Sequence, residues 1–247
     1  MASGTTLTFH SLGNPTGLKF AVEHGGRRAL FDFGREHSPG RALFSEGLEP
    51  RPGRELADEI AAGVAPALEG VYDAWDGRTA VFISHLHLDH TGLVHHLHPD
   101  LPLYYPAGME EVRAAAEETG YLPWRRPPGT PVPDRATVPG GEISVQFLAV
   151  DHDVPGAAGF LVRTPELTIA FTGDHRWHGV HPELTAAFAE AARGADVLVQ
   201  EGVNLGFSAA ASPEGPPAAP PTEADVWEGF ARLLERTPGL VVVNTYG

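Results

Sequence analysis

An α/β fold with chemistry gathered at the ends of its strands is what the sequence predicts, and three observations predict it. Apolar runs of the kind that fill buried strands alternate along the chain with segments of helical spacing. Two of those runs, at 81–83 and 167–172, and an alternating stretch at 142–150 lead into His85, Asp174 and His152 respectively. Glycine and proline are plentiful, 29 and 23 residues, and supply the turns and functional loops such a fold needs. At 247 residues there is room for one large domain, or one domain and part of another, and 42% hydrophobic residues suffice for a sizeable core.

Composition removes several function classes. With no cysteine, thiolate ligands and disulfides are excluded and no redox compartment is implied. The N-terminus lacks a basic stretch followed by an apolar one, and no apolar run reaches membrane-spanning length. A cytoplasmic location without membrane association is the resulting expectation. A net charge of −15 argues against nonspecific binding to nucleic acid or to an anionic membrane. Bound divalent cations would offset that charge locally, which leaves a phosphate-bearing substrate open. Nothing in the sequence speaks to oligomeric state.

In chain order, residues 5–33 are expected as two or three strands: 6–9 alternates, 18–22 follows a Gly-Asn-Pro-Thr-Gly turn, and 28–33 follows Gly25-Gly26. Residues 35–53, rich in Gly, Pro and Arg, read as a loop near a site entrance. Leu56, Ile60, Val64 and Leu68 stand at helical spacing and predict an amphipathic helix over 55–68. After strand 80–84 and its loop, a helix over 90–97 would bury Leu93, Val94 and Leu97. His95 and His96 on that helix would point about 100° apart, so they and His98 are expected as surface or packing residues. A strand at 101–105 and an Ala/Glu-rich helix at 109–119 follow. Residues 122–141, rich in Pro, Arg and Gly, are expected to hold neither helix nor strand. Their Arg125, Arg126 and Arg135 read as solvated loop charges, with contact to an anionic substrate as the alternative. A strand at 159–163, a helix over 182–193 and a buried strand at 195–200 complete this part.

The densest signal is 81–90, Val-Phe-Ile-Ser-His-Leu-His-Leu-Asp-His, where an apolar strand gives way to His85, His87, Asp89 and His90. His85 and His87 are two apart and project to one side of an extended segment. Asp89 stands where a helix N-cap would be, and His90 opens the helix. Imidazole and carboxylate together suit zinc, and also iron or manganese, better than magnesium or calcium. A polar loop that happens to carry three histidines is the competing reading, which the position directly after an apolar strand disfavours. Later strands deliver Asp151-His152-Asp153 and Gly173-Asp174-His175, and ligands at the ends of adjacent strands can converge on one edge. Six candidates that include carboxylates imply open coordination positions and catalysis, not a closed structural site. Asp151 and Asp153 are expected to point away from the metals, where either could orient an imidazole. His178 is a candidate for the rim, and His175 and His181 are expected on the surface. Glu201, at the end of 195–200, reads equally as a partner of a metal-bound histidine or as a turn acid.

The His-x-His-x-Asp-His stretch, the lone His152 and Asp174 in its Thr-Gly-Asp turn resemble the signature of the metallo-β-lactamase superfamily. The resemblance implies a four-layer αββα sandwich with metals at one sheet edge. It places His85, His87 and His152 on one zinc and Asp89 and His90 on a second, with Asp174 bridging two Zn2+, for which Mn2+ or Fe could substitute. Asp32, in Asp-Phe-Gly where members often carry Asp-x-Gly, would support the metal loop from behind; an ordinary strand-end turn is the alternative. It also implies a hydrolase whose nucleophile is a metal-bridging hydroxide that Asp89 orients or deprotonates.

Residues 207–222 are of low complexity and read as a mobile linker. Thr222 is then expected to cap a helix, with Asp225 near the capping box and Val226, Phe230, Leu233 and Leu234 as its apolar stripe. Gly239 ends it, and 240–243 is expected as a buried strand, after which the sequence stops as a truncated chain would. The Thr-Gly-Asp turn, Asp-Val-Leu-Val-Gln-Glu-Gly, the capped helix and Gly-Leu-Val-Val-Val-Asn resemble ribonuclease J and its β-CASP relatives. That resemblance divides the chain into a first metallo-β-lactamase segment at 1–205, a linker at 206–221 and the opening of a β-CASP-like domain at 222–247. It also implies a further ligand histidine outside this chain and a phosphodiester substrate, RNA foremost. The alternatives are a hydrolase of a small-molecule ester, lactone or thioester, which the acidic charge favours, and a metal-binding but catalytically incompetent fragment.

Overall fold

The protein is described by a computed structural model covering residues 4–11, 17–35, 49–121, 129–202 and 221–243. Its first sheet has six strands in the order β1 (Thr6–Phe9), β2 (Phe20–His24), β3 (Arg27–Phe31), β4 (Thr79–Phe82), β5 (Leu103–Pro106) and β6 (Thr130–Val132). The three antiparallel strands β1–β3 lead into a parallel run from β3 to β6. The second sheet comprises β7 (Thr137–Gly140), β8 (Ile143–Ala149), β9 (Ala158–Arg163), β10 (Thr168–Phe171) and β11 (Val197–Val199), neighbours in that order. Only β10 and β11 run parallel there.

Alternation along the strands builds the layers. Phe20, Val22, Ala29, Phe31 and Phe82 of the first sheet face Val145, Phe147, Phe160, Val162, Ile169 and Phe171 of the second. Their intervening neighbours Ala21, Leu30 and Val81 point the other way, onto a core shared with Leu93, Val94, Leu97 and Met109. On the far face of the second sheet, Leu148, Leu161 and Ala170 pack against Phe188. Central strands are thus buried on both faces, which is why they read as continuous apolar runs. Helices α1 (Glu55–Ala61), α2 (Leu88–Thr91) and α3 (Glu110–Glu118) belong to the first outer layer and α4 (Pro182–Ala191) to the second, giving the four αββα layers. α5 (Glu223–Arg236) follows in the chain and buries none of its residues.

Aromatic rings tie the sandwich. Phe20 stacks on Phe31 at 4.9 Å, Phe31 on Phe82 at 5.4 Å and Phe82 on Tyr104 at 5.2 Å, a row across four adjacent strands. Phe20–Phe171 at 5.0 Å and Phe31–Phe160 at 5.5 Å cross between the sheets. Each such pair adds about 0.5–1.5 kcal/mol beyond area burial.

Several expected elements are shorter or different. The helix expected over 55–68 ends at Ala61, because Gly63 takes a left-handed φ of 74° and the N–H groups of Val64 and Ala65 both turn back to the Glu59 carbonyl. Val64 and Leu68 still reach the core from an irregular segment. The helix expected over 90–97 is instead α2 followed by a short 3-10 turn, Val94–His96, with Leu93, Val94 and Leu97 buried as expected. His96 is a packing residue, its Nε2 lying 2.6 Å from the buried Glu59 carboxylate. Within 122–141, β6 and β7 form where no strand was expected. Both are edge strands, where Pro131 and Pro139 cost no interior ladder hydrogen bond. Arg125 and Arg126 lie outside the described residues, whereas Arg135 is exposed and pairs with Asp134 at 3.5 Å. β11 is an edge strand with Leu198 exposed, not the buried strand expected over 195–200. Thr222 and Asp225 form a complete capping box, but 240–243 forms no strand and Leu240, Val242 and Val243 are exposed. The expected linker lies almost wholly in 203–220, outside the described residues.

Candidate metal centre

The topology brings the strand ends that carry the candidate ligands to one edge. β3 and β4 are parallel, so Asp32 and His85 leave the first sheet side by side. β8 and β10 both run antiparallel to β9, so His152 and Asp174 leave the second sheet at a common end. The Ala158 N–H donates to the Ser84 carbonyl at 3.0 Å and joins the sheets at this edge.

There the imidazoles of His85, His87 and His152 converge. His85 Nε2 lies 3.1 Å from His87 Nδ1, and His152 Nε2 lies 3.3 Å from the same atom. A second group shares His85: its Nε2 is 4.0 Å from Asp174, whose other oxygen is 3.4 Å from His90 Nε2. Ligand atoms on one zinc, each about 2.1 Å away in tetrahedral geometry, stand roughly 3.4 Å apart. The donor atoms within each triplet, all within 4.8 Å of one another, therefore suit a shared cation. Asp89 sits beside the second triplet, its Oδ2 3.6 Å from His90 Nε2. It lies in the first turn of α2, while His87 occupies the N-cap position expected for Asp89.

Hydrogen bonds from behind fix which ring nitrogen faces the cavity. Ser84 Oγ lies 3.0 Å from His85 Nδ1, and Asp32 Oδ2 lies 2.8 Å from His90 Nδ1, leaving both Nε2 atoms for a ligand role. Asp32 is fully buried and also accepts from the Ser84 N–H at 2.7 Å and its hydroxyl at 2.8 Å. Its left-handed φ of 54° bends the chain so that the Phe33 N–H reaches the His90 carbonyl and Phe33 O accepts from Leu93. Asp32 thus joins Ser84 and His90 in one buried hydrogen-bonded group. Gly34 lies so close to the Asp89 carbonyl that any Cβ would overlap it. Lys19, buried beneath, donates from Nζ to the Gly34 carbonyl at 2.8 Å.

The electrostatics differ between the two buried imidazoles, His85 and His90. Burial, together with the neighbouring imidazoles, holds His85 well below its ordinary pKa and keeps it neutral. Burial would also depress His90, but the Asp32 and Asp174 carboxylates outweigh it and raise this group well above its ordinary value. Burial likewise pushes Asp174 up, against which its hydrogen bond to His90 prevails and lowers it.

Three residues depart from expectation or escaped it: Asp153, His175 and Ser84. Asp153 faces the cluster, 3.1 Å from His152 Nε2 and 3.5 Å from His87 Nε2, because β8 ends at Ala149 and strand alternation no longer governs 151–153. Asp151 is buried away from the imidazoles, with Gly179 packed against its carboxylate. His175 is half-buried, not a surface residue: its N–H donates to Glu201 Oε1 at 3.1 Å. Glu201 thus holds the Asp174–His175 turn through the backbone and touches none of the clustered imidazoles; burial raises its pKa, with Asp174 adding to the effect. Ser84 escaped the sequence reading altogether, though a hydroxyl residue directly before His-x-His at a strand end was its visible signal. His178 and His181 are exposed, and the His178 imidazole forms no hydrogen bond or ion pair among the described residues.

Residues 52–209 match the family model described as the beta-lactamase superfamily domain. The chain belongs to the beta-lactamase superfamily. Within it, the chain is 26% identical over 191 residues to ribonuclease J of Mycolicibacterium smegmatis, a match covering 74% of this chain and 32% of that protein. It therefore spans about a third of the length of the curated relatives it matches first. A protein of unknown function from Enterococcus faecalis V583 superposes with a TM-score of 0.78 at 31% identity, over 95% of this chain and 58% of that one. BJP-1, a subclass B3 metallo-beta-lactamase of Bradyrhizobium japonicum, shares the fold with a TM-score of 0.50 at 15% identity, over 96% and 93% of the two chains. These likenesses agree with the αββα layering. Among the described residues no helix is long and apolar enough to cross a membrane.

Proposed function

We propose that the chain carries the hydrolytic centre of a metal-dependent phosphodiesterase whose substrate is RNA. The observation that carries this reading is the pair of ligand triplets sharing His85, with Nδ1 of His85 and of His90 engaged from behind. His85, His87 and His152 would hold one zinc, His90 and Asp89 a second, with Asp174 between them; manganese or iron suits the same donors. Bound metals supply Lewis acidity and bring the pKa of bound water toward neutrality.

The chain's own residues do the rest. Asp89, with part of its side chain open to solvent and 3.6 Å from His90, would orient the attacking water and take its proton. The Asp32–Ser84 network keeps the His85 and His90 rings from rotating. RNA as the substrate draws its support from the ribonuclease J relatives. The helix α5 that follows is read as the opening of an inserted β-CASP-like domain. A small-molecule ester is the second reading, supported by the net charge of −15.

The test is hydrolysis of bis-p-nitrophenyl phosphate and of a short labelled RNA with defined zinc or manganese, beside p-nitrophenyl acetate. Metal-dependent cleavage of both phosphodiesters is expected, lost in Asp89→Ala together with affinity for the second metal while the His85–His87–His152 site stays loaded. Cleavage of the acetate alone supports the ester reading. Stoichiometric metal with no turnover of any of the three sinks the hydrolase reading for this chain.

A further inference from the structure

The opposite end of the sandwich holds a second, chemically distinct cavity. β3 and β4 finish at the metal centre and start here, so the strands' first residues line it: Arg27, Arg28 and Ala29 of β3, Thr79 and Ala80 of β4. Its volume is about 210 Å³, and an apolar cavity of about 150 Å³ already accepts a benzene ring. The floor is the near end of the inter-sheet core, where the stacked Phe82 and half-buried Tyr104 meet Ile143 and Val145. Trp75 forms a wall, held in place by its indole N–H donating to the Thr79 carbonyl at 2.9 Å.

The mouth is cationic although the chain is acidic. Three arginines, Arg27, Arg28 and Arg78, are among the residues that line the cavity, and no acidic residue is among its described lining residues. Arg28 is buried and already matched: it donates to Asp76 at 2.9 Å, to the Glu69 carbonyl at 2.8 Å and to Thr79 Oγ1 at 2.8 Å. Asp76 also takes Arg78 Nε at 3.1 Å, so one carboxylate serves two arginines. Arg27 has no carboxylate partner among the described residues, only the Gly77 carbonyl at 3.3 Å. Nearby Glu142 is turned toward His24, at 3.9 Å.

We propose that this cavity is a ligand site, separate from the metal centre, for a small aromatic anion: one planar ring bearing a phosphate or carboxylate. The ring enters the slot against Phe82 and Tyr104, and the anionic group stays at the mouth, where Arg27 and Arg78 donate to it. Guanidinium forks suit either oxyanion, and the aromatic floor distinguishes such a ligand from a free inorganic ion.

Phenyl phosphate titrated into the 15N-labelled chain tests this, with EDTA present so that the metal centre cannot hold the phosphate. The reporter is the Trp75 indole N–H signal, assigned through Trp75→Phe. A saturable shift is expected, with inorganic phosphate and benzyl alcohol each binding at least about tenfold more weakly. Arg27→Ala, at an exposed position that leaves the fold intact, weakens binding by a similar factor. Ala80→Leu, which fills the slot and leaves the arginines in place, abolishes it. Absence of a saturable Trp75 shift, equal binding of inorganic phosphate, or binding indifferent to both variants overturns the proposal. Backbone spectra of each variant, unchanged away from the cavity, separate lost binding from lost fold.

Discussion

Asp32 shows how much one buried side chain can decide. It combines full burial, a left-handed φ of 54° and three hydrogen bonds, two from Ser84 and one from His90. Burial pushes its pKa up while the neighbouring His90 pulls it back, so the pair shares its charge in a dry setting. Asn tolerates the left-handed region but cannot anchor the His90 N–H with a charge. Asp32→Asn is expected to keep the fold and weaken zinc binding about 10–100-fold, measured by competition against a chromophoric chelator. Asp32→Ala adds a strained backbone, about 1–2 kcal/mol, and strands the buried Ser84 N–H, about 1–3 kcal/mol. It should therefore unfold at clearly lower urea than the Asn variant; equal midpoints would mean that the bend does not depend on this side chain. Gly34→Ala tests the same splint sterically. Its Cβ would collide with the Asp89 carbonyl, so metal affinity and stability should fall together, the latter by about 1–3 kcal/mol.

Among the elements, α3 carries a pH-dependent tie to the first sheet. Arg113 holds the Glu110 carboxylate below its ordinary pKa, and the Tyr105 hydroxyl of β5 donates to the same group. A carboxylate depressed in the folded state stabilises fully above its unfolded pKa and loses that contribution as pH falls through the folded value. Urea midpoints of the EDTA-treated chain should thus decline below about pH 4.5, and Glu110→Gln should flatten that acid limb; an unchanged limb would exclude the tie. Where elements were legible in the sequence, burial made them so: β4, β9 and β10 announce themselves as apolar runs and β8 by alternation, and the candidate ligands His85, His152 and Asp174 stand just past the ends of β4, β8 and β10. Helical spacing proved weaker evidence. Leu56, Ile60, Val64 and Leu68 all reach the core, yet only the first two do so from a helix, since spacing records burial and not backbone. Prolines hid β6 and β7 because the pattern does not reveal which strands lie at an edge. Asp153 and Ser84 could not be placed from local alternation, since their roles depend on which strand ends adjoin in space.

The whole molecule is two sheets held by an aromatic interior, with candidate ligands from both gathered at one edge. Phe160 touches Phe31, Phe82, Phe147 and Phe171, so Phe160→Ala should cost about 3–5 kcal/mol. α5 differs: Leu233 is 52% exposed and Leu234 46%, and its ties to the rest run through Glu223, from its N–H to the His178 carbonyl and its carboxylate to Arg176 at 2.5 Å. Leu233→Gln with Leu234→Gln should leave the urea midpoint within about 0.5 kcal/mol of wild type, Gln being nearly as good a helix former as Leu. A loss as large as that of Phe160→Ala would mean that α5 packs against the sandwich. Metal should add the remaining clamp, because His85 and His87 come from the first sheet and His152 and Asp174 from the second. Zinc at about a hundredfold over its dissociation constant is expected to raise stability by about 2.7 kcal/mol. His152→Ala removes a second-sheet ligand from the His85–His87–His152 triplet and should forfeit most of that gain while leaving the metal-free midpoint nearly unchanged. An undiminished gain in that variant would show that the metal binds without bridging the sheets through His152, and would overturn the assignment of that triplet.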